Sequence, residues 1–276
     1  MATPIAVTMT QPSPSSEGLL SQALALPDGW QRGGIEFLDP NCLSPVVMGQ
    51  CPSGEDLKPT QRAETAGAFR SVDLIQAVEC STMGGLDVGR IAEVEGPRTA
   101  SFALARELLT GEASLRDNQT DQENPALVST ATDLGADFAS VAEALACLEA
   151  SLNAANSGRG GVVMMSIGFA TIALAERVLW RDGARWRTVT GAPVIIDAGF
   201  DGRAPVADGT GTPPADGEAL YAYATTAVWA GVGASFNVAD VDRSINNSNA
   251  RREQVGMAAF STCAVFAAAS TAATAC

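Results

Sequence analysis

Residues 157–180 read SGRGGVVMMSIGFATIALAERVLW. The stretch passes from a glycine cluster through a short apolar run to a serine, and then to a helical pattern. A strand, a tight turn and a helix start are also the parts of phosphate-binding loops and of nucleophile-bearing turns. The order of its elements is therefore compatible with either of these two catalytic turns.

None of the catalytic templates fits this stretch. A nucleophile elbow requires Gly-x-Ser-x-Gly, but Met164 stands two residues before Ser166. A Walker loop requires a lysine after its glycines, and a dinucleotide fingerprint places its glycines after the strand, not before it. We therefore predict a turn, a short buried strand over residues 162–165 and a helix whose N-cap is Ser166.

The chain contains no histidine. This absence excludes Ser-His-Asp and Cys-His nucleophile systems and zinc sites with a histidine ligand. Four aspartates near a Gly/Pro/Asp-rich loop lack Asp-x-Asp spacing, and aspartate is a common turn residue. They are Asp197, Asp201, Asp208 and Asp216. We therefore expect no catalytic residue, no metal site and no cofactor-binding residue.

The composition, with 46% hydrophobic residues, predicts a folded globular chain. Its net charge of −14 excludes a chain-wide basic surface of the kind that binds phosphates. Residues 255–269 are the most apolar run, but Ser261 and Thr262 interrupt it, so we interpret it as a buried strand and not as a membrane span. The N-terminal 18 residues have no basic region and no long apolar segment, which predicts no secretory signal.

The six cysteines show no CxxC pair and no metal-ligand spacing. In a chain without a secretory signal this pattern favours buried free thiols. A bridge between Cys42 and Cys51, which lie close in sequence, remains the alternative.

The N-terminal third is predicted to be extended. Residues 1–34 are rich in Pro, Ser, Thr and Gly, which is typical of an arm that is ordered only against another surface. Residues 35–80 read as strand, loop and strand, and the prolines of the loop argue against a central position in a sheet. Residues 86–110 are predicted as two helical pieces that Gly96-Pro97 separates, with Gly111 at the C-cap.

The remaining chain alternates helix and strand patterns. Apolar residues repeat at three and four from Phe138 to Leu152, which predicts an amphipathic helix with Asp137 as its N-cap. Residues 181–200 predict a turn followed by strands, and residues 201–217 predict a loop. ALYAYATTAVWAGVG (219–233) predicts a pair of strands before the final strand.

The order of these elements resembles that of a known family. The resemblance starts near residue 35 and rests on short signatures in sequence order and a terminal strand around Cys263, not on one diagnostic motif. The signatures are AVECSTMGG, ARELLTGEAS, DLGADFASVAEALACLEASL, GRGGVVMMS, TGAPVIIDAGF and ALYAYATTAVWAG. The chain resembles the major capsid proteins of tailed bacteriophages with the Hong Kong 97-type fold.

The resemblance implies an α+β fold with an N-terminal arm, an extended loop, a peripheral domain and an axial domain. The implied ranges are 1–34 for the arm, 35–80 for the extended loop, 81–130 with 241–276 for the peripheral domain, 86–110 for its spine helix and 131–240 for the axial domain.

The resemblance also implies a function. The chain would be a structural protein and not an enzyme, and it would self-assemble into hexamers and pentamers of an icosahedral shell around the double-stranded DNA of a tailed phage. Subunits would contact one another through the arm 1–34 and the loop 35–80, in a virion assembled in the host cytoplasm. Cement, scaffolding and portal proteins are further implied partners, whereas no membrane and no sequence-specific DNA contact are expected.

Some members of that family form a Lys-to-Asn isopeptide cross-link, for which Lys58 is the only lysine here. A solvated loop lysine beside Glu55 and Asp56 is the alternative interpretation of this residue. Two other classes of protein remain open at this point: an encapsulin-like nanocompartment shell of the same fold, and a soluble α/β enzyme without histidine.

Overall fold

The computed structural model describes residues 18–32, 34–38, 65–81, 88–111, 124–156, 158–206, 212–242 and 247–275. Within these ranges the chain is a mixed α+β structure, as the sequence predicts. Its helices are α1 Leu19–Gln22, α2 Val88–Thr110, α3 Leu127–Thr130, α4 Val141–Ala155 and α5 Ile167–Ala175, with a 3-10 turn at Trp30–Arg32.

The strands form two sheets and one ribbon. A seven-stranded sheet has the order β5-β13-β10-β6-β9-β8-β7, a four-stranded sheet has the order β1-β11-β12-β4, and β2 pairs with β3. The strands are β1 Leu24–Ala25, β2 Ile35–Leu38, β3 Thr65–Phe69, β4 Val72–Ser81, β5 Thr132–Asp133, β6 Val162–Met165, β7 Leu179–Asp182, β8 Arg185–Thr188, β9 Pro193–Ile196, β10 Ala219–Thr225, β11 Val228–Asp242, β12 Asn247–Phe260 and β13 Val265–Thr274.

The seven-stranded sheet is buried on both faces at its centre. Successive side chains of a strand point to opposite faces, so Val163 and Met165 of β6 pack with helices α4 and α5 in one apolar cluster. Met164 faces the other way, into a second cluster that it shares with Leu104 of α2 and Met257 of β12. This second cluster joins the two sheets into one continuous core.

Residues 18–32 pack against this core, which differs from the extended arm that the sequence predicts. Leu19 is fully buried and Trp30 is 6% exposed. β1 adds to the edge of the four-stranded sheet by parallel pairing of Leu24 with Trp229. Burial of two large apolar side chains offsets the entropy of ordering this segment.

The predicted strand pair at 219–233 consists of two strands that do not pair with each other. β10 lies in the seven-stranded sheet between β13 and β6, whereas β11 pairs with β12 and β1 in the four-stranded sheet. The chain crosses between the sheets at residues 226–227 and returns at residues 261–264. The apolar run 255–269 is therefore the end of β12 and the start of β13, not one strand.

Two of the expected domain ranges contain strands of different sheets. Within the range 131–240, β11 belongs to the four-stranded sheet, and within the range 241–276, β13 belongs to the seven-stranded sheet. Sheet membership depends on pairing between distant strands, which the sequence order of elements does not specify.

Helix α2 runs without interruption over 23 residues, including Gly96-Pro97, so the prediction of two helical pieces is wrong. A proline inside a helix removes one backbone hydrogen bond and costs about 3 kcal/mol. The C-terminal half offsets this cost, since Leu104, Leu108 and Leu109 are each at most 1% exposed. Gly111 ends the helix as predicted, with a φ of 67° and its N–H donating to the Glu107 carbonyl at 2.7 Å.

Helix α4 has the predicted apolar face but begins later than predicted. Val141, Leu145, Leu148 and Leu152 are all at most 3% exposed. The N-cap is Ser140 and not Asp137, because the Ser140 hydroxyl accepts the Glu143 N–H at 3.1 Å. Glu143 in turn accepts the N–H of Ala139, the residue before the cap, at 3.1 Å, so its side chain also supports the start of the helix.

Of the strand, loop and strand predicted at 35–80, the first strand is β2, which pairs antiparallel with β3, with Ile35 opposite Phe69. The second predicted strand is β4, which pairs with β12 in the four-stranded sheet and not with β2. The loop between β2 and β3, with Cys42, Cys51 and Lys58, lies outside the described residues. The prediction of free thiols holds for Cys147 but is wrong for Cys263, which is disulfide-bonded. No helix in the described ranges is long and apolar enough to cross a membrane.

Candidate functional site

The stretch at 157–180 is a scaffold element, as predicted. Ser166 follows β6 and caps α5, and its hydroxyl accepts the Phe169 N–H at 3.2 Å. Ser166 is 6% exposed. The hydroxyl thus satisfies one of the unpaired N–H groups at the start of the helix.

Gly160 and Gly161, which precede β6, are required by backbone conformation and by packing respectively. Gly160 has a φ of 73°, a left-handed conformation that side chains disfavour. A Cβ at Gly161 would stand 2.3 Å from a Leu152 methyl group and 2.3 Å from the Thr225 carbonyl oxygen. The glycine cluster therefore lets β6 approach α4 and β10 closely.

Asp197 joins three distant parts of the chain. Its Oδ2 accepts the Leu19 N–H at 2.8 Å and the Ser101 hydroxyl at 2.7 Å, and its Oδ1 accepts the Gly199 N–H at 2.9 Å. Asp197 is 6% exposed. The carboxylate thus ties the N-terminal segment and helix α2 to the end of β9.

Asp201 is held by two arginines. Arg203 contacts it with Nη2 at 2.8 Å and Nε at 3.1 Å, and Arg106 of α2 pairs with the same carboxylate. Burial alone raises the pKa of Asp201, but the hydrogen bonds and charge of Arg203, together with the charge of Arg106, hold that pKa below its ordinary value. Asp201 is therefore a structural anion.

Arg203 is a buried cation that the sequence analysis did not single out. Its charged partner Asp201 lies two residues before it, but its burial and its contact with Tyr223 of β10 depend on the fold. It is 2% exposed, and its carbonyl accepts the Tyr223 hydroxyl at 2.8 Å. Burial raises the pKa of Tyr223, and the charge of Asp201 raises it further. Tyr223 is thus neutral and positions the loop 201–206 against β10.

A cleft of about 540 Å³ lies beside the glycine turn, between Gln22, the end of α4 and the β8–β9 turn. Glu149 lines it, with one carboxylate oxygen accepting the Thr190 hydroxyl and the other buried without a partner among the described residues. Arg159 and Arg185 also line the cleft. Among the described residues that line the cleft, Glu149 is the carboxylate and it lies beside the two arginines.

Asp216 lies in an exposed turn, and Asp208 lies outside the described residues. In the part of the chain that the structure describes, no three Cys, Asp or Glu side chains are grouped so that they could hold a metal ion.

Several large apolar side chains of this chain are exposed to solvent. Helix α5 has no charged residue, yet one side of it faces solvent with Ile167 56% and Leu174 39% exposed. Helices that are apolar on all sides are normally buried. Other large apolar side chains are exposed elsewhere: Leu24, Ile75, Phe102, Trp180, Val189 and Val232.

Comparison with solved structures shows which fold this is. The chain matches the capsid of an empty GTA particle computed with C5 symmetry at 11% identity and a TM-score of 0.55, covering 98% of this chain and 95% of the other. It matches a chain of Mycobacterium phage Bobi at 13% identity and a TM-score of 0.56, covering 98% of this chain and 95% of the other. It matches a chain of Gordonia phage Cozz at 12% identity and a TM-score of 0.53, covering 97% of this chain and 91% of the other.

No protein-family model and no curated protein matches the chain. The structural matches cover nearly all of it, and they confirm the phage major capsid protein fold that the sequence resembles.

Proposed function

We propose that this chain is the structural major capsid protein of a tailed phage, which assembles into hexamers and pentamers of an icosahedral shell around double-stranded DNA. One observation carries the proposal: the fold of capsid chains extends over 98% of this chain and 95% of a GTA capsid chain. On this proposal the protein acts in the virion and has no enzymatic activity.

The exposed apolar surface supports assembly on physical grounds. Burying apolar surface is favourable by a free energy of about 25 cal/mol for each Å² removed from water. Exposed apolar side chains therefore favour association with another surface. Ile167 and Leu174 on helix α5, with Trp180 and Val189 nearby in sequence, concentrate such surface in the region 167–189. Surfaces of this kind mark contacts with other macromolecules.

The fold also supports a revised division of the chain. We propose that the seven-stranded sheet with α4 and α5 is the axial domain, and that the four-stranded sheet with α2 is the peripheral domain. The hairpin that β2 and β3 begin would be the extended loop. The N-terminal arm would then be residues 1–17, because residues 18–32 belong to the folded body.

Negative-stain electron microscopy and analytical ultracentrifugation of the purified protein test the proposal. We expect closed shells, or rings of five and six subunits at lower concentration. A sharply monomeric or dimeric species at high concentration, with a cooperative thermal transition that shows it to be folded, would contradict the proposal.

The content of the particles separates a capsid from a nanocompartment shell of the same fold. Particles purified after phage growth should protect double-stranded DNA from nuclease. Particles that contain protein cargo and no protected DNA would support the nanocompartment instead.

A further inference from the structure

The cleft beside the glycine turn contains a buried carboxylate oxygen that lacks a hydrogen-bond partner. Glu149 of α4 lines the cleft and is 6% exposed. Its Oε2 accepts the Thr190 hydroxyl, whereas its Oε1 has no partner among the described residues. Leaving a buried acceptor unpaired costs free energy, so such an atom indicates a donor that this part of the chain does not supply.

The cleft also carries positive charge. Arg159, in the glycine turn, and Arg185, at the start of β8, both line it and are both exposed. Neither arginine donates to Glu149 Oε1, so the opposite charges of this one copy do not satisfy that oxygen by direct pairing. A ligand that matches the cleft therefore combines a cationic donor with anionic groups.

Apolar side chains complete the lining. Leu24 is 53% exposed, and Pro193 and Val228 also line the cleft. The volume of about 540 Å³ lies within the range of about 300–1,000 Å³ that is usual for pockets that bind organic ligands. The cleft is therefore large enough for a few side chains of a peptide, including an apolar one.

The sequence of this chain contains a segment with the matching pattern of charges. Residues 55–58 read EDLK: two carboxylates, a leucine and the only lysine of the chain. The two carboxylates match the two arginines of the cleft, and the ammonium group matches Glu149. Lys58 lies seven residues before Thr65, where β3 begins, and seven residues of extended chain span about 23 Å. The segment can therefore extend about that far from the base of its hairpin.

We propose that the cleft of one copy receives residues 55–58 of a second copy, with the lysine ammonium group on Glu149 Oε1 and the two carboxylates facing the two arginines. The proposal rests on the proposed shell function, because it requires adjoining copies. DNA fits the cleft less well, since its phosphates would meet the carboxylate of Glu149 as well as the arginines. A metal ion also fits less well, since Glu149 is the one carboxylate among the described residues of the lining.

Removing each charge of the lysine contact tests the proposal. Glu149→Gln keeps the size of the side chain and an oxygen for the Thr190 hydroxyl, and Lys58→Gln removes the ammonium group. Each change leaves the remaining charge without its counterion, so we expect each variant alone to lower the assembled fraction about tenfold. The double variant should assemble no worse than either single variant, because both changes remove the same interaction. Glu143→Gln, the same substitution at an exposed position of α4, is the matched control and should leave assembly unchanged.

Exchanging charges tests the arginine contact. Arg185→Glu adds a negative charge to the cleft, whereas Glu55→Arg with Asp56→Arg makes the segment basic. Either change alone sets like charges against each other and should lower the assembled fraction. A chain with all three substitutions should regain most of it, because the two surfaces are complementary again.

The single lysine also allows the contact to be located. Shells are assembled from isotope-labelled and unlabelled copies and treated with a carbodiimide, which joins an amine directly to a carboxylate. Linked peptides of Lys58 and Glu149 should then combine the two isotopes. Links confined to one isotope would mean that the segment docks on its own subunit, and links from Lys58 only to other carboxylates would place it elsewhere; both results overturn the proposal.

The outcomes separate this contact from the proposed function. If the wild type forms shells and the folded single variants form them equally well, Lys58 is a solvated loop lysine and the docking is wrong, while the shell function stands. If the wild type stays monomeric, both are wrong. Losses that add in the double variant would show two independent contacts and overturn the pair. Thermal unfolding of each variant separates loss of contact from loss of fold, and a Glu149→Gln variant that fails to fold leaves the Lys58 and Arg185 variants to decide.

Discussion

The carboxylate of Asp197 accepts a hydrogen bond from the backbone N–H of Leu19 at 2.8 Å, although 178 residues separate the two in sequence. The same Oδ2 accepts the Ser101 hydroxyl, so one buried oxygen holds the N-terminal segment and helix α2 together. Residues 18–32 are therefore part of the folded subunit, and assembly need not order them.

Asp197→Ala should destabilise the subunit by about 3 kcal/mol, because it leaves the buried donors of Leu19 and Gly199 without an acceptor. Asp197→Asn retains an acceptor oxygen and should cost less. Urea unfolding measures both changes, and limited proteolysis should show earlier cleavage within residues 18–32 in the alanine variant. Equal losses for alanine and asparagine would contradict the role of the hydrogen bonds.

Ser166→Ala should cost about 1 kcal/mol of unfolding free energy, because the Phe169 N–H loses its acceptor. Ser166→Asp keeps an acceptor at the helix N-terminus and should cost less. Thr171→Ala, on the exposed side of the same helix, is the control and should change stability by less than about 0.5 kcal/mol. Loss of a hydrolytic activity in Ser166→Ala, with stability unchanged, would refute the scaffold assignment.

Leu148→Asp should prevent folding, since Leu148 is fully buried and a charge there would have no partner. The sequence pattern predicts the same for Leu174, but Leu174 is 39% exposed, so that expectation is wrong. Leu174→Asp should leave the subunit folded, as circular dichroism and thermal unfolding would show. If it folds but fails to form particles, helix α5 contributes to a contact between copies; a variant that cannot fold would mean that Leu174 is needed within the subunit.

The Asp201–Arg203 pair should make stability depend on pH at the acidic end. Because the folded pKa of Asp201 lies below its ordinary value of 3.8, its contribution is fully present above that value and is lost as the pH falls through the folded pKa. Asp201→Asn should therefore be strongly destabilising at pH 7, where it leaves the buried Arg203 guanidinium uncompensated. The difference from wild type in urea unfolding should shrink below about pH 3.8; a difference that stays constant with pH would exclude the ion pair as its cause.

Replacing residues 41–60 by a short Gly-Ser turn should leave the subunit folded, because β2 and β3 already pair at the base of the hairpin. If this segment clasps a neighbouring copy, shell assembly should be lost while the unfolding midpoint stays close to wild type. Electron microscopy and thermal unfolding of the same sample measure both. Wild-type yields of shells would show that the segment is dispensable for assembly.

The sequence by itself determined the features that depend on residues close to one another in the chain. The run 162–175 places a β-strand, an N-cap serine and a helix in consecutive residues, and the three and four spacing from Val141 to Leu152 identifies the buried face of α4. Capping bonds and side-chain periodicity act over a few residues, so these features depend little on the rest of the fold. The absence of histidine likewise excluded whole classes of site without any structure.

Only the tertiary structure decided the features that depend on distant partners. Helix α2 continues through Gly96-Pro97 because its C-terminal half is buried, and β10 and β11 separate because each pairs with strands elsewhere in the chain. Arg203 and Leu19 acquire their roles from contacts that span several elements. Glu149 and Arg185 line one cleft only through the tertiary fold, because contacts between distant elements are determined by long-range packing and not by local sequence.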